Sequence, residues 1–386
     1  MRASPAPPGD RCLSTFSEPR RSPAFTADDI RSSLKQTASE RHMAATTLLA
    51  GDMGGTKTLL ALYGLDGSGL QVLHQHRFAS SEWPSLEPML QAFLNNRPEG
   101  IAAPTHGCIA VAGPVRNHSA RITNLPWQLE ERALAEAAAM NQLELVNDFA
   151  VLIYGLPHFD AEQQVVLQEG TRDAGPVAIL GAGTGLGMAR GVHGSHGLMA
   201  LASEGGHREF APRTEEEWQL ACWLKQDLNL DRLSVERIVS GTGLGHTAHW
   251  LLQKPEAANH PLRAIGEAWR RNMASDLPAQ ASHAAAAGDP LMIHAEQLWL
   301  SAYGAAAGDL ALQELCTGGL WVGGGTAAKQ LAGLRSATFL EAMRDKGRFR
   351  EFIDGLQVTA VVDPDAGLFS SACRARMLAE SSGTLS

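Results

Sequence analysis

The chain has 386 residues, and its 32 lysines and arginines against 41 aspartates and glutamates give a net charge of −9. This length predicts about two to three domains, and a hydrophobic content of 44% is enough to fill their cores. An acidic chain without a basic stripe argues against a nucleic-acid-binding protein, and no apolar run approaches the roughly 18 residues of a membrane span.

The N-terminal segment 1–46 precedes the first predicted strand and differs from the rest. Residues 1–42 are rich in Pro, Ser and Arg, and they lack the apolar core of a secretory signal. Two interpretations remain open: a disordered extension, or a translation start at Met43. We expect a folded, cytoplasmic protein from about Ala45 to Glu380, whose dispersed cysteines stay as free thiols.

The first part of the folded chain alternates strands and helices. Hydrophobic runs and glycine punctuation predict strands at 47–52, 58–63, 70–78, 108–112 and 143–146, and helices at 86–94 and 134–140. The first two strands are separated by a glycine turn that contains Gly54 and Gly55. Such alternation is typical of α/β architecture.

The second part repeats this strand, glycine turn and strand. Strands are predicted at 177–180, 188–192, 320–322 and 358–362, and helices at 215–228, 279–287, 291–315, from about Thr326, and at 368–378. The turn is Gly181–Gly187, and the 215–228 helix is expected to place Trp218 and Leu220 on one face. The repetition predicts two similar halves that face one cleft.

The two glycine turns are candidate phosphate-binding loops, because residues without Cβ let backbone N–H groups approach an anion closely. Asp52 at the end of the first strand can reach a hydrated Mg²⁺, while Thr56 adds a hydroxyl and Lys57 a positive charge. Structural hairpins remain the alternative. Neither turn has the sequence of a Walker A loop. The segment 323–328 fits a relaxed dinucleotide-binding fingerprint, but no strand that ends in an acidic residue follows it, which argues against a dinucleotide site.

Two polar clusters are candidates for chemistry. Asn147 and Asp148 follow a strand and precede a helix, which suits a general base for a substrate hydroxyl or, alternatively, a helix cap. Glu204 and His207 flank two glycines, which suits a tight turn that aims both side chains at a polyol. A metal site or a purely structural turn is the competing reading, and Glu236 alone could be a surface charge.

These motifs together resemble the bacterial glucokinase family, within the superfamily of sugar kinases, actin and heat-shock chaperone ATPases. The resemblance rests on the segments 52–57, 145–149, 181–187, 204–207, 234–241, 318–325 and 345–349, in the family's order. It implies two ribonuclease-H-like α/β domains flanking a deep cleft. The smaller domain is expected at 47–157 and the larger at 158–366, with a C-terminal helix in 367–386 that packs on the smaller one.

The resemblance also implies ATP-dependent phosphorylation of glucose at its 6-hydroxyl, with Mg²⁺. Asp148 matches the family's catalytic base, and the sugar ligands match Asn147, Glu204, His207 and Glu236. The ATP-binding positions fall on the glycine segments: Asp52, Gly54, Gly55, Thr56, Lys57, Gly181, Gly183, Thr184, Gly185, Gly324 and Gly325.

The expected partners are glucose and ATP, with neither nucleic acid nor membrane, and the expected assembly is a homodimer. Three alternatives stay open: a kinase for another hexose, a polyphosphate donor in place of ATP, and a non-catalytic sugar or ATP sensor. An actin-like filament ATPase is disfavoured, because it would not need a polyol site such as that predicted at Glu204, His207 and Glu236.

Overall fold

A computed structural model describes residues 46–66, 69–122, 125–195, 197–271 and 275–383. The predicted N-terminal extension lies outside these residues except for Thr46. By their contacts, the described residues from Thr46 onward form one compact unit. The division into a smaller and a larger domain stays a prediction.

The strands of the described chain are β1 (Thr47–Met53), β2 (Lys57–Asp66), β3 (Gly69–Ala79), β4 (His106–Val111), β5 (Val115–Arg116), β6 (Ser119–Arg121), β7 (Gln128–Glu130), β8 (Gln142–Asn147), β9 (Gln164–Gln168), β10 (Val177–Ala182), β11 (Leu186–Gly194), β12 (Gly197–Ser203), β13 (Gly319–Gly323) and β14 (Val358–Val361).

The helices of the same residues are α1 (Leu86–Asn95), α2 (Glu131–Ala137), α3 (Leu152–Gly155), α4 (Glu215–Asp227), α5 (Gly241–Gln253), α6 (Arg263–Arg270), α7 (Leu277–Ala286), α8 (Pro290–Glu314), α9 (Leu331–Leu334), α10 (Ala337–Arg344), α11 (Arg350–Gly355) and α12 (Ala366–Ser381). None of them combines the length and apolar character needed to cross a bilayer.

The two large sheets repeat one topology, which confirms the predicted α/β fold. The first has the order β3-β2-β1-β4-β8, and the second has β12-β11-β10-β13-β14-β9. In each sheet the first three strands are antiparallel and the next two join in parallel. The central strands β4, β10, β13 and β14 are buried at every residue, as expected of strands covered on both faces.

One hydrophobic cluster joins the two sheets. It contains Leu48 and Cys108 of the first sheet, Ile179 and Ala189 of the second, and Ile153 of α3. Helix α12 packs against β1 and β4, and its Arg374 Nη2 lies 2.7 Å from Glu144 Oε2 at the neighbouring strand β8. This shared core packs the sheet that contains β1 and β8 against the sheet that contains β10.

Several predicted elements need correction. The segment expected to be helical from Thr326 is a series of turns, and its helix, α9, begins only at Leu331. Trp218 was expected on the buried face of α4 with Leu220, but it is 58% exposed, while Leu220 is buried. Helix α5 escaped prediction because glycines occupy three of its first five positions.

Candidate active site

The two glycine turns occupy equivalent places in the two sheets. Each joins the first strand of a parallel pair to its antiparallel partner: β1 to β2, and β10 to β11. The first turn is closed by Gly54 N–H donating to Lys57 O over 2.9 Å, and the second by Gly183 N–H donating to Gly185 O over 2.8 Å. A Cβ built on Gly183 would have no atom within 4 Å, so this turn borders open space.

Close packing explains why other positions of the second turn are glycine. Phe149, next to Asp148, lies against the backbone at Gly181 and Gly187, and a Cβ at Gly181 would come within 2.8 Å of its ring. Gly324 has φ +83°, and its Cβ would lie 2.9 Å from Ala182 O. These contacts bring the ends of β8, β10 and β13 together.

Asp148 is held at the end of β8 by a fixed hydrogen-bond pattern. Its N–H donates to Val111 O over 2.9 Å. Asn147 Oδ1 accepts from the N–H groups of Phe149 (3.1 Å) and Ala150 (3.0 Å). Asn147 Nδ2 donates to Gly113 O (3.2 Å) and to Asp148 Oδ1 (3.1 Å). The Asn147 amide group therefore makes four hydrogen bonds, one to Asp148 itself and three to the backbone around it.

The electrostatics of Asp148 suit a base near neutral pH. Burial by surrounding protein raises its pKa to about 6, and the nearby Asp52 adds to the rise. Hydrogen bonds from Phe149 N–H and from Asn147 oppose that rise. The pKa of Asp52 is itself raised, first by burial and then by Asp365. This part of the site carries an excess of negative charge.

The structure brings Glu204, His207 and Glu236 together from two separate segments. His207 Nε2 lies 3.7 Å from Glu204 Oε2, and its Nδ1 lies 3.9 Å from Glu236 Oε1. Glu236 Oε2 accepts from Leu186 N–H over 3.1 Å, which fixes its carboxylate against the start of β11. A Cβ at Gly206 would overlap the Leu186 carbonyl, so the turn at 204–207 can pack here only with glycine at that position.

A cavity of about 650 Å³ joins most of these features. Its lining comes from both halves of the chain: Gly55, Ala112, Gly113, Ile122, Asp148, Thr184, Gly185, Glu236, Arg237, Ser240, Thr242 and His246. Glu204 and His207 are not among these residues, but His207 lies beside the lining residue Glu236, and Glu204 lies beside His207. The predicted base, one predicted sugar ligand and both glycine turns therefore share one space.

Some predicted residues lie apart from the cavity lining. Thr56 and Lys57 are exposed at the start of β2, and neither lines the cavity. Gly324 and Gly325 lie beyond the lining as well, although Gly324 packs on the second turn. Gly319 begins β13 and pairs with Val177, so it lies at the opposite end of the sheet from the glycine turn.

Seven lining residues escaped the sequence analysis as site candidates, and four of them have polar or charged side chains: Arg237, Ser240, Thr242 and His246. They belong to the start of α5 and the short 3₁₀ helix before it. A cap of the form Ser-x-x-Gly was the signal that could have found them, because Ser240 Oγ accepts from Gly243 N–H at 2.9 Å. An α-helix that begins at a cavity presents free N–H groups to it.

The residues around Asp52 fit a magnesium ion that is bound mainly through water and phosphate. In the described parts of the chain, no cluster of three or more His, Cys, Asp or Glu side chains is arranged to hold a metal. Mg²⁺ keeps several waters and commonly uses one or two carboxylates plus substrate phosphates. Burial raises the pKa of both Asp52 and Asp148, and a neighbouring carboxylate raises each further, Asp365 for Asp52 and Asp52 for Asp148, so a cation here would offset negative charge.

Comparison with known proteins identifies the family. The sequence model of the glucokinase family matches residues 49–378. The chain belongs to the glucokinase family. A glucokinase from Synechocystis sp. is 40% identical over 344 residues, covering 84% of this chain and 96% of the relative.

Solved structures agree with this assignment. The glucokinase of an Antarctic psychrotroph has a TM-score of 0.72 and 29% identity, covering 86% of this chain and 98% of its own. A ROK-family glucokinase from Streptomyces griseus, solved with glucose and AMPPNP, has a TM-score of 0.54 and 22% identity, covering 86% and 99%. At that lower identity the likeness shows the fold alone.

Proposed function

We propose that this glucokinase-family enzyme transfers the γ-phosphoryl group of ATP to the 6-hydroxyl of glucose. The observation that carries the proposal is the shared cavity, in which Asp148 and Glu236 face the same space as both glycine turns. A sugar hydroxyl near Asp148 and phosphates near Gly55 and Thr184 would meet there. Membership of the glucokinase family supports this class of reaction, and the cavity supports the proposed placement of the sugar and the phosphates.

Asp148 is the proposed general base. The sugar O6 forms a bond to the γ-phosphorus while the bond from that phosphorus to the β–γ bridging oxygen breaks, and the hydroxyl proton passes to an oxygen of Asp148. Its pKa of about 6 leaves it mainly ionised at pH 7, yet basic enough to accept a proton in the transition state. Asn147 is proposed as a positioning residue, since its amide group bonds Asp148 and the backbone on either side of it.

Glu204, His207 and Glu236 are proposed to bind the sugar hydroxyls. Glu204 and His207 have side chains that are 75% and 58% exposed, whereas Glu236 is 26% exposed. Carboxylates accept hydrogen bonds from hydroxyl groups, and an imidazole both donates and accepts. The sugar hydroxyls would therefore form hydrogen bonds with these three side chains, of which Glu236 is the most firmly held.

The phosphates are proposed to lie against the two glycine turns, where Gly55, Thr184 and Gly185 line the cavity. Phosphoryl transfer depends mainly on positioning and on stabilising the charge of the transferred group. Asp52 would hold a bound Mg²⁺ through water, and the ion would supply positive charge that offsets the charge of the phosphates. Burial first, and then the charge of Asp52, raises the pKa of Asp148.

The test is a matrix of sugars and donors with identification of the product. Glucose, mannose and glucosamine are each combined with ATP or with inorganic polyphosphate, and the phosphorylated carbon is located by NMR. We expect glucose with ATP to give the highest kcat/KM and phosphate on carbon 6. A higher kcat/KM with another hexose or with polyphosphate would replace glucose or ATP in the proposal.

A further inference from the structure

The charges that line the catalytic cavity are unbalanced. Its described lining contains two carboxylates, Asp148 and Glu236, and a single lysine or arginine, Arg237. A polyphosphate donor brings several further negative charges into this space. At short range and partial burial such charges interact strongly, so a cation at the cavity wall has a large effect on phosphate binding.

The guanidinium of Arg237 is available for a ligand. The residue is exposed, and in the described part of the chain its side chain makes no hydrogen bond or ion pair. Two arginines nearby in sequence differ: Arg232 Nε lies 3.1 Å from Glu209 Oε2, and Arg208 Nη2 lies 3.3 Å from Asp309 Oδ2. The N–H donors of the Arg237 guanidinium are therefore available to a ligand that enters the cavity.

The backbone of Arg237 is fixed although its side chain is free. Its N–H donates to Ser234 O over 3.0 Å. Its carbonyl oxygen accepts from His246 Nδ1 over 2.9 Å, and His246 is buried against Trp269 with ring centroids 5.4 Å apart. Burial lowers the pKa of His246, which keeps the ring neutral as that donor. The guanidinium thus extends from a rigid base.

The first turn of α5 lies beside Arg237 and next to the second glycine turn. Gly241 N–H donates to Gly183 O over 2.8 Å, and the Thr242 hydroxyl donates to Thr184 O over 3.3 Å. This turn presents the positive end of a 13-residue helix to the cavity that Ser240 and Thr242 line. Arg237 and the first turn of α5 therefore line the same cavity.

We propose that Arg237, together with the first turn of α5, binds the polyphosphate chain of the donor during transfer. The inference rests on the proposed function, and it adds a catalytic residue that the glycine motifs do not contain. A guanidinium can hold two phosphate oxygens through paired N–H groups, which a lysine cannot reproduce. Arg237 would supply, from the protein, charge stabilisation that acts alongside Mg²⁺.

The test compares Arg237→Gln and Arg237→Lys with the control Arg132→Gln. The side chain of Arg132 is 91% exposed on α2, and among the described residues it pairs with Glu136. Kinetics are measured with ATP varied, and calorimetry follows Mg–AMPPNP and glucose binding separately. We expect Arg237→Gln to lower kcat/KM for ATP by roughly 10²-fold, to weaken AMPPNP at least about tenfold, and to leave glucose affinity unchanged.

Arg237→Lys should recover part of the loss, and Arg132→Gln should match the parent in every measurement. Equal AMPPNP affinity in Arg237→Gln and the parent would overturn the inference, as would a loss confined to glucose affinity. A parent that binds AMPPNP without phosphorylating glucose would refute the proposed function, and calorimetry on Arg237→Gln would still decide the role of Arg237. A parent that binds no AMPPNP would overturn both.

Discussion

Replacing Asp148 with asparagine tests the proposed base with little change in shape. Asn147 Nδ2 donates to Asp148 Oδ1 over 3.1 Å, and an asparagine oxygen can accept the same bond. The substitution therefore keeps the position of residue 148 and removes its ability to accept a proton. Glucose affinity should stay within about tenfold, whereas kcat should fall by roughly 10²–10⁴-fold. That loss is about 3–5 kcal/mol of activation free energy.

The pH dependence of the unsubstituted protein, the parent of these variants, tests the base role of Asp148 independently. With a pKa of about 6, Asp148 is mainly ionised above pH 6 and loses its charge as the pH falls through that value. The kcat/KM should therefore be flat above about pH 7, and at pH 5 it should be roughly a tenth of its plateau. Asp148→Asn should show no such fall on its residual activity.

The Asp148→Asn substitution should raise the thermal stability of the protein although it lowers the activity. Because folding raises the pKa of Asp148 from 3.8 to about 6, its charged form destabilises the fold at neutral pH. Asp148→Asn should melt at a higher temperature than the parent above pH 6, and the gain should disappear below pH 3.8. The control is Asp231→Asn, an exposed position outside the cavity lining. An Asp148→Asn variant that keeps more than half its activity would remove Asp148 from the base role.

The KM for glucose should rise by about tenfold or more in each of Glu204→Gln, His207→Ala and Glu236→Gln. The effect should be largest at Glu236, because its side chain is the least exposed of the three. If steady-state kinetics showed a rise in the KM for ATP instead, the assignment to the sugar site would be wrong. Gly183→Val should weaken ATP use first, because its side chain would enter the open space beside the second turn; an unchanged KM for ATP would place the phosphates elsewhere. Deletion of residues 1–42 should leave the melting temperature and kcat nearly unchanged, and a fall of several degrees would show that the segment supports the fold.

The sequence alone was sufficient to predict those parts of the site that are formed by residues close together in the chain. Both glycine turns lie between the predicted strands, and Asp148 follows β8 as the run 143–146 predicted. These features depend on neighbours one to four residues away, which hydrophobic patterns and turn chemistry record. The duplicated topology was visible for the same reason, since each half repeats a strand, a glycine turn and a strand.

The remaining features depend on contacts distant in sequence. Phe149 explains why Gly187 must be glycine, and the Gly323 backbone together with Phe149 explains Gly181, yet more than 30 positions separate each contacting pair. Arg237 became a candidate only when the fold placed α5 beside the second turn. Among the described residues its side chain has no hydrogen-bond or ion-pair partner, whereas the nearby Arg232 pairs with Glu209. Asn147 matched a sugar ligand by motif, and that role stays a prediction; only the fold shows that its amide group makes four hydrogen bonds, one of them to Asp148.

Glucose-dependent release of ADP is the most direct test of the central claim, that this cavity transfers phosphate to a sugar hydroxyl. A coupled assay would follow ADP with Mg²⁺ and ATP present, first without sugar and then with glucose added. The arrangement of Asp148 and Glu236 around one cavity predicts negligible release without glucose, and one ADP for each glucose consumed. Release at the same rate with and without glucose would identify an ATPase instead and contradict the account.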